Sequence, residues 1–203
     1  SYVHTTAQSA EQDATTTARS VNRMVVEMAN APRMLSRQSA VQDFLTRHTS
    51  RTDSLQVLGQ TQRRDVLQAD PAARALGDYF ASVGNDLGYS EVFLLDTMGV
   101  HVASNDWRSH NTLLGGRRDD HDFFFYSAMA AGNGQMFSAA NAAGTPGFYA
   151  ASRVEQQGKP TGVMVVKRNA DVSTEMLTGQ RVALIIDGNG VVVGASHPEY
   201  LQR

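Results

Sequence analysis

The sequence predicts an α+β chain: a long N-terminal helix leading into tandem units with central antiparallel sheets, the second unit incomplete. Three observations carry this reading. Val21, Met24, Val25 and Met28 recur at the spacing of one helix face. A pattern of apolar strand, Asp, two spacer residues, Gly and apolar strand occurs twice, as VFLLDTMGVHVAS and as ALIIDGNGVVVGAS. The breaks between the remaining β-like runs, NAAGTPG and EQQGKP, are too short for a crossover helix, which makes neighbouring strands antiparallel. With 203 residues, 41% of them hydrophobic, the chain has the material for a buried core.

Residues 1–48 are expected to form the long helix, a stalk that packs on a domain or on a second copy of itself. Its first stretch, SYVHTTAQSAEQDATTTARS, has little to bury and suits a solvated helix or loose chain. Pro32 is expected to kink or interrupt the helix. Beyond it, Met34, Leu35, Val41, Phe44 and Leu45 continue an apolar face. Residues 49–69 read as polar and loop-rich or weakly helical. Asp70 followed by Pro71 is a helix start, with Asp as N-cap and Pro at the first helical position. Leu76, Phe80, Val83 and Leu87 share one face of that helix, and Gly88 stops it.

Residues 91–96 and 100–105 then form a hairpin over Thr97, Met98 and Gly99. Residues 106–121, with Gly115 and Gly116, mark a long loop, and 122–131 a short helix closed by Gly132. Strands follow at 135–139, 147–154 and 161–168. Near Asp171 a second unit opens with a short amphipathic helix and a hairpin of 181–187 and 191–196. Asp96 and Gly99 of the first hairpin recur as Asp187 and Gly190. The repeat implies a duplicated unit, with the second copy cut short at Arg203. The resulting division is 1–48, a stalk; 49–170, a complete unit; and 171–203, the start of another. The chain opens without Met or a signal-peptide pattern, so its start is expected to be an internal cut.

Composition removes several function classes. Lys plus Arg number 18 against 20 Asp plus Glu, a net charge of -2, which leaves no electrostatic footprint for nucleic acid. With no cysteine, thiolate catalysis and Cys-ligated metal centres are excluded. The longest apolar runs are far too short to span a bilayer. There is no GxxxxGK[ST], HExxH or GxSxG, and no GxGxxG after a strand. Asp119-Asp120-His121-Asp122 reads either as a metal-binding stretch or as a capped helix N-terminus. Successive residues seldom converge on one ion, so no metal site is assigned. No cofactor and no catalytic residue are expected.

The order of these motifs resembles a double Cache extracytoplasmic sensor domain, a PAS-like module of bacterial signalling proteins. It runs from VFLLDTMGVHVASNDW through DDHDFFFYSAMAAG, NAAGTPGFYAASRV and GVMVVKRN to the second VALIIDGNGVVVGAS. Within that group the chain is most similar to C4-dicarboxylate sensor histidine kinases, over about residues 20–203. The resemblance implies a periplasmic domain of a membrane-anchored kinase, dimeric through its N-terminal helix. It also implies that a small ligand, an organic acid, sits in the membrane-distal unit. The alternative is a degenerate Cache domain serving as a dimerisation or protein-interaction module.

Six residues follow from the resemblance as ligand contacts. Lys167 matches the family lysine at the end of the last strand; alternation puts it on the face of Val163 and Val165. It reads as a carboxylate clamp or as a strand-end lysine reaching solvent. Arg118 and His121 fall on the family's donor element before the short helix. Arg118 suits a forked contact with a carboxylate, or pairs with Arg117 as a solvated compensation for Asp119 and Asp120. Phe124 and Tyr149 keep the family's aromatics, as pocket wall or as core. In the loop before TPGFY, where the family places hydroxyl residues, this chain has Asn141, Ala142 and Ala143. Asn141 offers one polar contact, and the departure argues against C4-dicarboxylate specificity.

Overall fold

The computed structural model describes residues 2–117, 123–138, 145, 147–169, 184–186 and 192–195. The chain forms two compact units: Ser1–Glu27, Phe137–Phe148 and Asn169–Arg203 in one, Met28–Met136 and Tyr149–Arg168 in the other. In the first, β6 (Leu184–Ile186) and β7 (Val192–Ala195) pair antiparallel, as the repeated hairpin pattern predicts. The amphipathic helix expected near Asp171 lies outside the described residues.

Helix α1 (Tyr2–Leu35) includes the polar leading stretch and runs through Pro32. The expected interruption therefore falls a turn late. A proline in the last turn removes one N–H but not the geometry, and the chain leaves the helix where Ser36 N–H, 2.8 Å from Pro32 O, closes the turn. Helix α2 (Ser39–Thr49) follows, so residues 1–48 hold two helices. The polar stretch beyond folds as α3 (Thr52–Gln56) and α4 (Gln60–Ala69), each held by one buried leucine, Leu55 and Leu67.

Helix α5 (Pro71–Leu87) starts and stops where its caps predict. Asp70 accepts from the Ala72 N–H at 2.8 Å, and Gly88 takes the left-handed conformation at φ 73°. Arg51 reaches Asp70 from the start of α3. Partial burial opposes ionisation of Asp70, but the Arg51 hydrogen bond, the Ala72 N–H and the Arg51 charge outweigh it and hold the carboxyl below its usual range.

Strands β1 (Glu91–Asp96), β2 (His101–Ser104), β3 (Asn133–Ser138), β4 (Gly147–Gln156) and β5 (Lys159–Asn169) make one antiparallel sheet in the order β2-β1-β5-β4-β3. Gln157 and Gly158, at φ 52° and 75°, make the tight turn that joins β4 to β5. Helix α6 (Phe123–Ala131) lies against one face of this sheet through Phe124, Phe125 and Ala128. Helices α2 and α5 pack on the other.

Under those helices lies a buried polar chain. Asp96, 2% exposed, accepts from the Met98 and Val100 N–H groups at 2.9 and 3.0 Å, which shapes the hairpin turn. Its other oxygen is 3.1 Å from His48 Nε2, a buried ring on α2. Arg51 Nε donates to His48 Nδ1 at 3.2 Å, so the neutral ring carries its proton on Nε2 and donates to Asp96. Asp96, His48, Arg51 and Asp70 thus tie the first hairpin to α2, α3 and α5.

Candidate functional site

Register decides which side chains meet. Strands β1 and β5 run antiparallel with Glu91 opposite Lys167, Phe93 opposite Val165 and Leu95 opposite Val163. Alternation puts all six on the face that α6 covers. The end of this face is fixed by the backbone: Ser90 donates to Lys167 O through its N–H at 2.9 Å and its hydroxyl at 3.3 Å.

Lys167 does not reach solvent; it is 3% exposed. Its Nζ lies 3.2 Å from Glu91 Oε1 and 5.3 Å from the centroid of the Tyr149 ring. Tyr149 stacks on Phe124 with centroids 5.2 Å apart and planes 5° from parallel. Next to this group, His101 on β2 sits 4.6 Å from the Phe93 ring, with Nδ1 3.1 Å from Gly116 O. The structure thus brings together Phe124, Tyr149 and Lys167. Arg118, His121 and Asn141 lie outside the described residues.

A buried ammonium is costly unless compensated, and Glu91 supplies the counter-charge here. The sequence alone does not name that counter-charge. The signal was the carboxylate at the head of the first strand, but it becomes a partner only once the β1–β5 register is known. The arrangement offers an ammonium with three donors, an adjacent carboxylate and a stacked aromatic wall, which is binding chemistry. Among the described residues no group of three His, Asp or Glu could hold a metal ion. No helix among them is long and apolar enough to cross a membrane.

The whole chain superimposes on the V. cholerae histidine kinase DctB sensor domain with a TM-score of 0.75 at 17% identity, over 99% of this chain and 70% of that one. The fold is that of a Cache/PDC sensor domain. Other solved structures share the fold. A sensory box/GGDEF family protein of Vibrio parahaemolyticus matches at TM-score 0.64 and 15% identity, over 99% of this chain and 76% of that one. The ligand-binding domain of the Pseudomonas aeruginosa chemoreceptor PctB, in complex with L-Gln, matches at 0.52 and 15%, over 100% and 70%. In sequence, the C4-dicarboxylate transport sensor protein DctB of Rhizobium meliloti is 30% identical over 112 residues. That stretch is 54% of this chain and 18% of that protein, so the chain spans less than a fifth of its curated relative. No family model matches the sequence.

Proposed function

We propose that this chain is the periplasmic Cache sensor domain of a membrane-anchored bacterial signalling protein, a sensor histidine kinase, and that it binds a small carboxylate. The 49–170 unit is the membrane-distal, ligand-holding one and 171–203 begins the membrane-proximal one. Lys167 anchors the ligand carboxylate, Phe124 and Tyr149 wall it, and Arg118, His121 and Asn141 complete the contacts. Ligand binding favours one arrangement of the sheet against the N-terminal helix, through which the protein dimerises, and that population shift moves the membrane segments. The observation that carries this reading is the buried Lys167 ammonium beside a stacked aromatic pair.

A thermal-shift screen of the purified domain against organic acids and amino acids tests it. A ligand at about one hundred times its dissociation constant adds about 2.7 kcal/mol of stability. The shift is expected in the wild type and lost in Lys167→Met. A ligand that stabilises both equally overturns the anchor. A second reading, a Cache domain kept only for dimerisation or protein interaction, is favoured by the burial of Phe124 and Phe125 against the sheet. It predicts a folded dimer that no panel member shifts.

A further inference from the structure

Lys167 sits near the end of its strand. On the β1 side the ladder finishes with the Glu91–Lys167 pair, two residues before the last residue of β5. Strand ends open more readily than strand middles, and a buried ammonium regains hydration whenever the strand peels back. Keeping it at 3% exposure calls for a second grip on the same strand end.

The exit of α5 supplies that grip from the opposite face of the sheet. Alternation turns Arg168 away from Lys167. Its Nη2 donates to Leu87 O at 2.8 Å, and its guanidinium carbon lies 5.1 Å from the centroid of the Tyr89 ring. Leu87 is the last residue of α5, so its carbonyl is one that the helix leaves without an intrahelical donor, at the negative end of the helix dipole. Three residues on, the Ser90 N–H and hydroxyl hold Lys167 O. The turn between them is itself fixed. Tyr89 N–H donates to Gly84 O at 2.9 Å, and the Asn105 side chain joins Ser90 O to the Val92 N–H at 3.2 and 3.0 Å. Residues 87–90 thus hold Lys167 by its backbone and the next residue by its side chain. We infer that Arg168 is a positioning residue for Lys167: by gripping the end of α5 it keeps β5 seated and the ammonium buried beside Glu91 and Tyr149. Its bearing on recognition rests on the reading of Lys167 as the ligand anchor.

The chain has only two lysines, Lys159 exposed at the start of β5 and Lys167 buried near its end, so amine chemistry reports on each separately. Acetylation of the purified chain with an N-hydroxysuccinimide ester, read residue by residue by mass spectrometry, is expected to modify Lys167 at least about tenfold more slowly than Lys159. Arg168→Met keeps an unbranched side chain but removes the donor, and is expected to raise the Lys167 rate relative to Lys159 by about tenfold, the loss of one charged hydrogen bond. The raised rate is expected to stay level at low urea, the mark of a local opening that exposes little surface. Arg168→Lys keeps a cationic donor for Leu87 O and is expected to return Lys167 to within about threefold of wild-type protection. Ser90→Ala, which loses only the hydroxyl bond to Lys167 O, is expected to act in the same direction by less, and it keeps the test open if Arg168→Met does not fold. A ratio of the two lysines unchanged by Arg168→Met, a rise that climbs with urea in step with global unfolding, or a wild-type Lys167 as reactive as Lys159 overturns the positioning role. The measurement uses no ligand, so the anchor reading stands or falls separately, on the thermal-shift comparison with Lys167→Met.

Discussion

Replacing Asp96 by Asn changes neither size nor shape, yet it should be among the more damaging conservative substitutions in this domain. To keep the Met98 and Val100 N–H bonds at 2.9 and 3.0 Å, the new amide must leave its oxygen at the turn. Its NH2 then faces the Nε2–H of His48 at 3.1 Å, donor against donor. Moving the proton to Nδ1 only relocates the conflict, because Arg51 Nε already donates there from 3.2 Å. The loss is one charge-assisted hydrogen bond, about 1.5–3 kcal/mol, plus part of the about 1–3 kcal/mol cost of an unsatisfied buried donor. Arg51, whose side chain is 33% exposed, can swing away and relieve part of it. We expect a net cost of about 2–3 kcal/mol, a large share of a typical 5–15 kcal/mol stability.

The assay is urea denaturation of wild type, Asp96→Asn, Arg51→Ala and the double variant, at constant m-value. In Arg51→Ala, water can reach the outer ring nitrogen, the proton can move to Nδ1, and Nε2 can accept from the new amide. Asp96→Asn should then cost only about 1 kcal/mol, which gives a coupling of about 1–2 kcal/mol. A cost of Asp96→Asn that is the same in both backgrounds, or below about 0.5 kcal/mol, would refute the tautomer argument.

Three further outcomes follow from the packing. The depressed Asp70 carboxyl contributes stability that is present above its ordinary value of 3.8 and is lost as pH falls through its lower folded value. Asp70→Asn, which keeps an N-cap, should therefore lose less thermal stability than wild type between about pH 5 and pH 3, as melting curves would record. Gly77→Ala should destabilise by about 1–2 kcal/mol although alanine favours helix, because the new methyl would strike Trp107 and lie 2.8 Å from the Ser104 carbonyl. Trp107 is the single tryptophan, so its fluorescence reports the displacement directly. Tyr149→Leu removes both the stack on Phe124 and the ring beside Lys167, and should cost about 1–3 kcal/mol in denaturant titration.

Features governed by near neighbours were legible in the sequence. The Asp70-Pro71 start and Gly88 stop of α5, the β1 strand and the Gly132 end of α6 all follow from caps, turns and periodicity acting within a few residues. Residues 52–69 were not, because Leu55 and Leu67 each give a polar helix one apolar anchor, and packing rather than pattern makes them helical. The site divides the same way. Alternation along one strand placed Lys167 on the face of Val163 and Val165. Naming Glu91 needed the register between strands far apart in the chain. His48 carried no signal at all, since its meaning lies in an aspartate on another element.

Strand β1 carries two interleaved texts. Glu91, Phe93 and Leu95 face α6 and the lysine, while Val92, Leu94 and Asp96 face the helices beneath. A change at the odd positions disturbs the packing under α6 and the surroundings of Lys167, and a change at the even ones disturbs how the sheet is held by its helices. Because the two sets share a backbone but no surface, one face of the sheet can be repacked while the contacts of the other are preserved.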